Sequence, residues 1–228
     1  MQDTIAVQFP ANSQPRKTLL PTFFTTNWDL PVWGLLLLVV NLPLVRGHVN
    51  TALLWLPQYA QDGQWWRLIT YPLVHLSWYH LILDGSAFLL LYHGMEEKRW
   101  SSRAMVLGLC SAGSLWLGYW LGDVRNSGLT GLSGIAHGLM AYTALEMLTS
   151  GSRRSRGLFC LVLVVVKSIY ELVSGHVVFE FMHLGLCGQP VAASHAGGVL
   201  GGVAGFALVQ GCRRLKTFHT ASQEDALQ

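Results

Sequence analysis

The chain has 228 residues, of which 51% are hydrophobic and only 12% are Asp, Glu, Lys or Arg, about half the ~25% charged share of an ordinary soluble domain. With a mean hydropathy of +0.38, these figures argue against a disordered chain, a collagen-like repeat, a coiled coil or an ordinary cytosolic enzyme. What remains is a membrane-embedded protein, and at roughly 20 apolar residues per crossing the length holds about six or seven helices.

Residues 1–28 are polar, carry Pro10, Pro15 and Pro21, and have no apolar stretch behind a basic head. They read as a disordered cytoplasmic lead-in and not as a cleavable signal peptide. Apolar runs predict spans over 30–46, 79–95, 104–122, 131–149, 157–175 and 191–211. The stretch 52–59 is short and broken by Pro57, so it is expected as a loop or an interfacial helix, and Trp65, Trp66 and Tyr71 as interfacial anchors before the second span. The expectation is therefore an all-α membrane protein with a six-helix bundle in 29–211 and a basic, polar cytoplasmic tail in 212–228. The spans show no internal repeat, which disfavours an inverted-repeat transporter. Cys110, Cys160, Cys187 and Cys212 form no C-x-x-C pair and no readable disulfide framework.

Six spans put both termini on one side, and the basic residues choose it. Arg16, Lys17, Lys98, Arg99, Arg103, Arg153, Arg154, Arg156, Arg213, Arg214 and Lys216 fall on the terminal side, against Arg46, Arg67 and Arg125 opposite. Positive charge gathers in the cytoplasm, so both termini are expected there. The net charge of +3 follows from this asymmetry and gives no reason to expect nucleic acid as a partner.

Ionisable groups within spans are costly and are functional candidates. Of nine histidines, His48, His75, His80, His137, His176, His183 and His195 fall in the outer half or outer loops. The second, fourth and sixth spans all descend from that face, starting near His80 and Asp84, at Gly131-Leu-Ser133-Gly134, and near His195. Gly134 and Gly138 on the fourth, with Gly197, Gly198, Gly201, Gly202 and Gly205 on the sixth, permit close backbone approach. Ser133 and His195 are then expected within hydrogen-bonding reach, although a glycine-rich helix with one serine also fits a mere packing surface.

These residues resemble the rhomboid family of intramembrane serine proteases. Gly131-Leu-Ser133-Gly134 matches its GxSG motif, and His195-Ala-Gly-Gly198-Val-Leu-Gly-Gly202 is similar to its sixth-helix pattern. Trp66-Arg67, His75-Leu-Ser-Trp-Tyr-His80-Leu-Ile-Leu-Asp84 and Glu96-Glu97-Lys98-Arg99 resemble its second helix and flanks, so the likeness runs over about 66–205 in order. Within the family the chain looks most like rhombosortases, on His137 four residues after Ser133, Lys167-Ser-Ile-Tyr-Glu171 and Gln189-Pro190-Val191. That likeness implies membrane-anchored protein substrates with a C-terminal Gly-Gly motif, a membrane span and a basic tail, processed at a bacterial inner membrane with the site opening outward. It implies no cofactor and no metal.

Ser133 is the expected nucleophile and His195 the expected base, with His137 its rival at i+4 from Ser133. On this reading helix packing orients the imidazole and no third carboxylate is required. Gly131, the Ser133 N–H, His80 and His137 would position substrate or oxyanion. Asp84 departs from the family, which usually has Asn there. It is expected either protonated and donating, or ionised, turned away from the oxyanion and orienting His80 or His137; an inactive, helix-binding relative is the alternative. Lys167 and Glu171 read as a buried ion pair that settles helix position, with a proton path as the other possibility, and His176-x3-Glu180-x2-His183 as a possible metal- or proton-handling feature.

Overall fold

The computed structural model describes residues 28–178 and 191–225, with side chains described to residue 215. The expected lead-in, Gln189 and Pro190, the Glu180 and His183 of the metal alternative and most of the 176–190 loop lie outside these residues. The described chain is helical, with one isolated bridge between Trp55 and Leu129. Six principal helices run in order: α1 Asp29–Val40, α2 Trp78–Gly94, α3 Trp100–Leu121, α4 Ser133–Thr149, α5 Arg154–Ser174 and α6 Ala192–Asp225. Each falls on a stretch expected as a span, and α6 continues beyond the expected span 191–211 into the expected tail, to Asp225.

Among the described residues, three helical stretches are long and apolar enough to cross a membrane: Trp100–Leu121, Gly151–Ser174 and Ala192–Leu215. A fourth is reached if Arg67–Leu73 and α2, bent by 99°, form one broken span. The first predicted span, 30–46, is shortened. α1 ends at Val40 and passes into a 3-10 turn over Leu42–Arg46, where Pro43 supplies no backbone N–H. Asn41 fixes that end: its Nδ2 donates to the Leu37 and Leu73 carbonyls at 2.8 and 2.7 Å, and its Oδ1 accepts from the His75 N–H at 2.8 Å. The 52–59 stretch yields a short helix, Pro57–Gln61. Buried Arg67 organises the loop around it, donating to the Thr51 and Leu54 carbonyls at 2.6 and 2.7 Å.

α6 packs chiefly on α3 and α4, and its two rows of glycine explain how. A Cβ at Gly197 or Gly201 would run into the Gly113 or Leu109 carbonyl of α3; one at Gly198 or Gly202 would run into the Gly134 or Gly138 carbonyl of α4. The contact with α4 follows the sequence expectation, and the second row against α3 adds to it. These are backbone obstacles that no side-chain rotation relieves. Gly198→Leu is therefore expected to destabilise the bundle by about 3 kcal/mol or more, whereas Gly211→Ala, where a Cβ meets nothing within 4 Å, leaves it unchanged; thermal unfolding in detergent reads the difference. α5 keeps Gly157, Val164, Ser168 and Glu171 on one buried stripe, and turns Leu158, Phe159, Val162, Val166, Ile169 and Val173 outward, an apolar face suited to lipid.

At one end of the bundle the charged residues pair. Glu97, buried between α2 and α3, meets Arg99 and Arg213 at 3.0 Å each; Arg103 reaches Asp29 at 3.2 Å, and Arg153 pairs with Glu96. Glu146 of α4 accepts the Glu96 and Glu97 backbone N–H groups at 2.8 and 3.0 Å. Burial works against the Glu97 carboxylate, but the Arg99 side chain and backbone N–H and the Arg213 guanidinium outweigh it and hold its pKa down to about 2. A depressed carboxylate contributes stability above its unfolded value of 4.5, and that contribution fades as the pH falls toward 2. We expect thermal stability to drop across that window by about 1–2 kcal/mol, since both arginine partners are half exposed and screened by solvent, and Glu97→Gln to flatten the drop.

Candidate active site

At the opposite end of α4, Gly131 adopts φ 88°, and Ser133 is the first residue of the helix. The first N–H groups of a helix have no carbonyl partner within it, so the Ser133 N–H points out of the helix beside its own hydroxyl, at the positive end of the helix dipole. Gly131 is required by more than its dihedral. A Cβ there would stand 2.8 Å from Asp84 Oδ2 and 2.9 Å from His80 Nε2, inside the space those groups enclose.

Ser133 Oγ lies 3.2 Å from His195 Nε2, across 62 residues of sequence. His195 stands in the first turn of α6 and is buried. Its other ring nitrogen, Nδ1, is 2.7 Å from Glu171 Oε2. One tautomer satisfies both contacts: Nδ1–H donating to the carboxylate, and the Nε2 lone pair facing the serine O–H. Glu171 Oε1 accepts from Lys167 Nζ at 2.5 Å and from the Val178 N–H at 2.9 Å. The Lys167–Glu171 pair is thus present as expected, but it also reaches the imidazole, where helix packing without a carboxylate was expected to orient the ring. An i,i+4 pair is visible in one helix, but the link to His195 depends on how α5 meets α6.

His137 takes a different place from that of a base. Its Nδ1 contacts the Ser133 carbonyl at 2.7 Å, and its Nε2 contacts Lys167 Nζ at 2.7 Å. The ring stacks on His195 with centroids 4.0 Å apart and planes 8° from parallel. Both nitrogens are engaged away from the serine hydroxyl. His137, Glu171 and His195 also bring potential metal-ligand atoms within 4.8 Å of one another, but the Lys167 ammonium already supplies a cation to two of them.

Asp84 fits neither expected pose completely. Its Oδ2 accepts the Ser133 N–H at 3.0 Å and lies 3.1 Å from His80 Nε2 and 3.9 Å from His75 Nε2. It does contact His80, but it is not turned away. One carboxylate oxygen gathers the very two donors, the Ser133 N–H and the His80 imidazole, that the sequence pointed to for an oxyanion. His80 is carried in the first turn of α2, whose Ser77 cap accepts the His80 N–H at 3.1 Å. His75, fully buried, packs edge-on to His80 with ring centroids 5.0 Å apart.

A helical membrane bundle with a serine, a histidine and helix-terminal donors at one end defines the class of protein. The Rhomboid domain matches residues 62–212, and the chain belongs to the rhomboid family. It is similar to the rhomboid protease GlpG of Haemophilus influenzae, 33% identical over 86 residues covering 38% of this chain and 44% of that protein. It is also similar to the rhomboid protease GlpG of Yersinia pestis, 27% identical over 176 residues covering 76% of this chain and 59% of that protein. The chain thus spans about half the length of these relatives. No solved structure matches it.

Proposed function

We propose that the chain is an intramembrane serine endopeptidase acting through Ser133 and His195. The observation that carries this reading is the 3.2 Å contact between Ser133 Oγ and His195 Nε2 at the start of two helices locked together by glycine. Membership of the rhomboid family supports it. In the reaction Ser133 Oγ attacks the peptide carbonyl carbon while its proton passes to His195 Nε2. The resulting oxyanion is held by the Ser133 N–H and the His80 imidazole once Asp84 releases them. The C–N bond then breaks as Nε2 returns the proton to the leaving amine. Water, deprotonated by the same imidazole, opens the acyl-enzyme to a carboxylate and free Ser133.

The topology we propose has six crossings, with both termini in the cytoplasm and the site facing the exterior of a bacterial inner membrane. Eleven basic residues against three support it, as does the clustering of Arg99, Arg103, Arg153 and Arg213 at the end of the bundle away from Ser133. The substrates we propose are membrane-anchored proteins with a C-terminal Gly-Gly motif, a span and a basic tail, as the rhombosortase likeness implies. His137 and the Lys167–Glu171 pair, part of that likeness, line the site. The test is to incubate the protein with such a substrate and weigh the new C-terminus. A product ending at the Gly-Gly motif, absent with Ser133→Ala, is expected. Mass added to that terminus would reveal transfer to an amine in place of hydrolysis, and cleavage elsewhere would refute the rhombosortase assignment.

One observation favours a second reading. Because Asp84 Oδ2 takes the Ser133 N–H, the protein would be a non-catalytic binder of membrane helices if that carboxylate never leaves. Helix capture by folded protein without any Ser133-dependent cleavage would select this reading.

A further inference from the structure

We propose that Glu171 is the third member of a Ser133–His195–Glu171 triad, a positioning residue that fixes the tautomer and plane of the base. This inference rests on the protease reading above and deepens it. The three residues come from α4, α6 and α5, and their contacts enter the imidazole at opposite nitrogens: 3.2 Å from Nε2 to Ser133 Oγ and 2.7 Å from Nδ1 to Glu171 Oε2.

A carboxylate kept only to pair with Lys167 needs no such arrangement. The Lys167 ammonium and the Val178 N–H are both served by Oε1, leaving Oε2 to the imidazole alone. Glu171 is 0% exposed, and in so dry a site a carboxylate–imidazole bond is stronger than in water. Burying that charge is costly unless it is paired, and Lys167 provides the pair. The same ammonium holds His137 Nε2 at 2.7 Å, and the His137 ring lies flat against His195. Glu171 therefore sets the direction of the imidazole in its plane, and His137 sets the plane. When Nε2 takes the serine proton, the carboxylate faces the imidazolium so formed. Serine hydrolases of unrelated fold use a Glu in this role. The groups in contact with the His195 ring are then Ser133 and His137 from α4 and Glu171 from α5.

The test compares Glu171→Gln, Glu171→Asp, Ser133→Ala and His195→Ala, in full-length protein, on one membrane-anchored substrate. Glu171→Gln is expected to lower kcat by about 10³- to 10⁴-fold, the scale of an Asp→Asn change in a soluble triad, with KM within about threefold in protein that still folds. Glu171→Asp, which restores the acceptor at a longer reach, is expected to recover at least ~10-fold of that loss. In the unmutated protein, ¹⁵N-histidine NMR should show a strongly downfield Nδ1–H resonance that disappears in His195→Ala. This last measurement stands even where Glu171→Gln fails to fold. If Glu171→Gln keeps more than a tenth of kcat while Ser133→Ala and His195→Ala are inactive, the triad is wrong and a dyad remains. Parallel collapse of stability and kcat that Asp does not rescue, or a His195 Nδ1 without a proton, also overturns it. Full activity in Ser133→Ala would instead remove the protease reading itself.

Discussion

His195→Ala is expected to lower cleavage by about 10⁴- to 10⁶-fold, as losing the base does in soluble serine proteases, while His137→Tyr lowers it by only about 10-fold. Sequence alone leaves both imidazoles in contention, since His137 is four residues from Ser133 on the same helix and His195 is 62 residues away. The geometry separates them. His137 Nδ1 is occupied by the Ser133 carbonyl and its Nε2 by Lys167, so it has no lone pair free to receive the serine proton. His195 has one, aimed at Oγ. Initial rates for the two variants, normalised to folded protein, check this. Inactivity in His137→Tyr with activity in His195→Ala would reverse the assignment.

Asp84→Asn is expected to raise kcat by about 10-fold or more at neutral pH. In the unmutated protein Asp84 Oδ2 sits on the Ser133 N–H and the His80 Nε2, so an ionised carboxylate both competes for and repels the developing oxyanion. One donor of this kind is worth about 2.7–4 kcal/mol in the transition state, and two are involved. A neutral amide is displaced more cheaply and can itself donate. Rates measured for Asp84→Asn and Asp84→Ala together read out the effect. A fall of 10² or more in Asp84→Asn would mean that the carboxylate works for the reaction, as an orienter of His80.

Hydropathy is a sum over ~20 residues, and for that reason the six helices were legible from sequence. The end of α1 was not, because it depends on Asn41 bonding to Leu73 and His75 beyond 30 residues away. The Ser133–His195 approach was readable through the glycines of α4 and α6. The part played by Gly113 in seating α6 on α3 was hidden, since a lone glycine in an apolar run carries no pattern. Glu171 was seen as a partner for Lys167, since i,i+4 spacing is local; its bond to His195 crosses from α5 to α6. Asp84 stood out as a residue of the wrong charge for its place, but the direction it faces is a matter of side-chain packing.

In the proposed reaction Ser133 is an activated nucleophile. Treating folded, membrane-reconstituted protein with a fluorophosphonate and locating the adduct by peptide mass spectrometry tests it most directly. A single adduct on Ser133 is expected, lost in Ser133→Ala and nearly lost in His195→Ala. An unlabelled Ser133 in folded protein, or labelling that persists without His195, would contradict it.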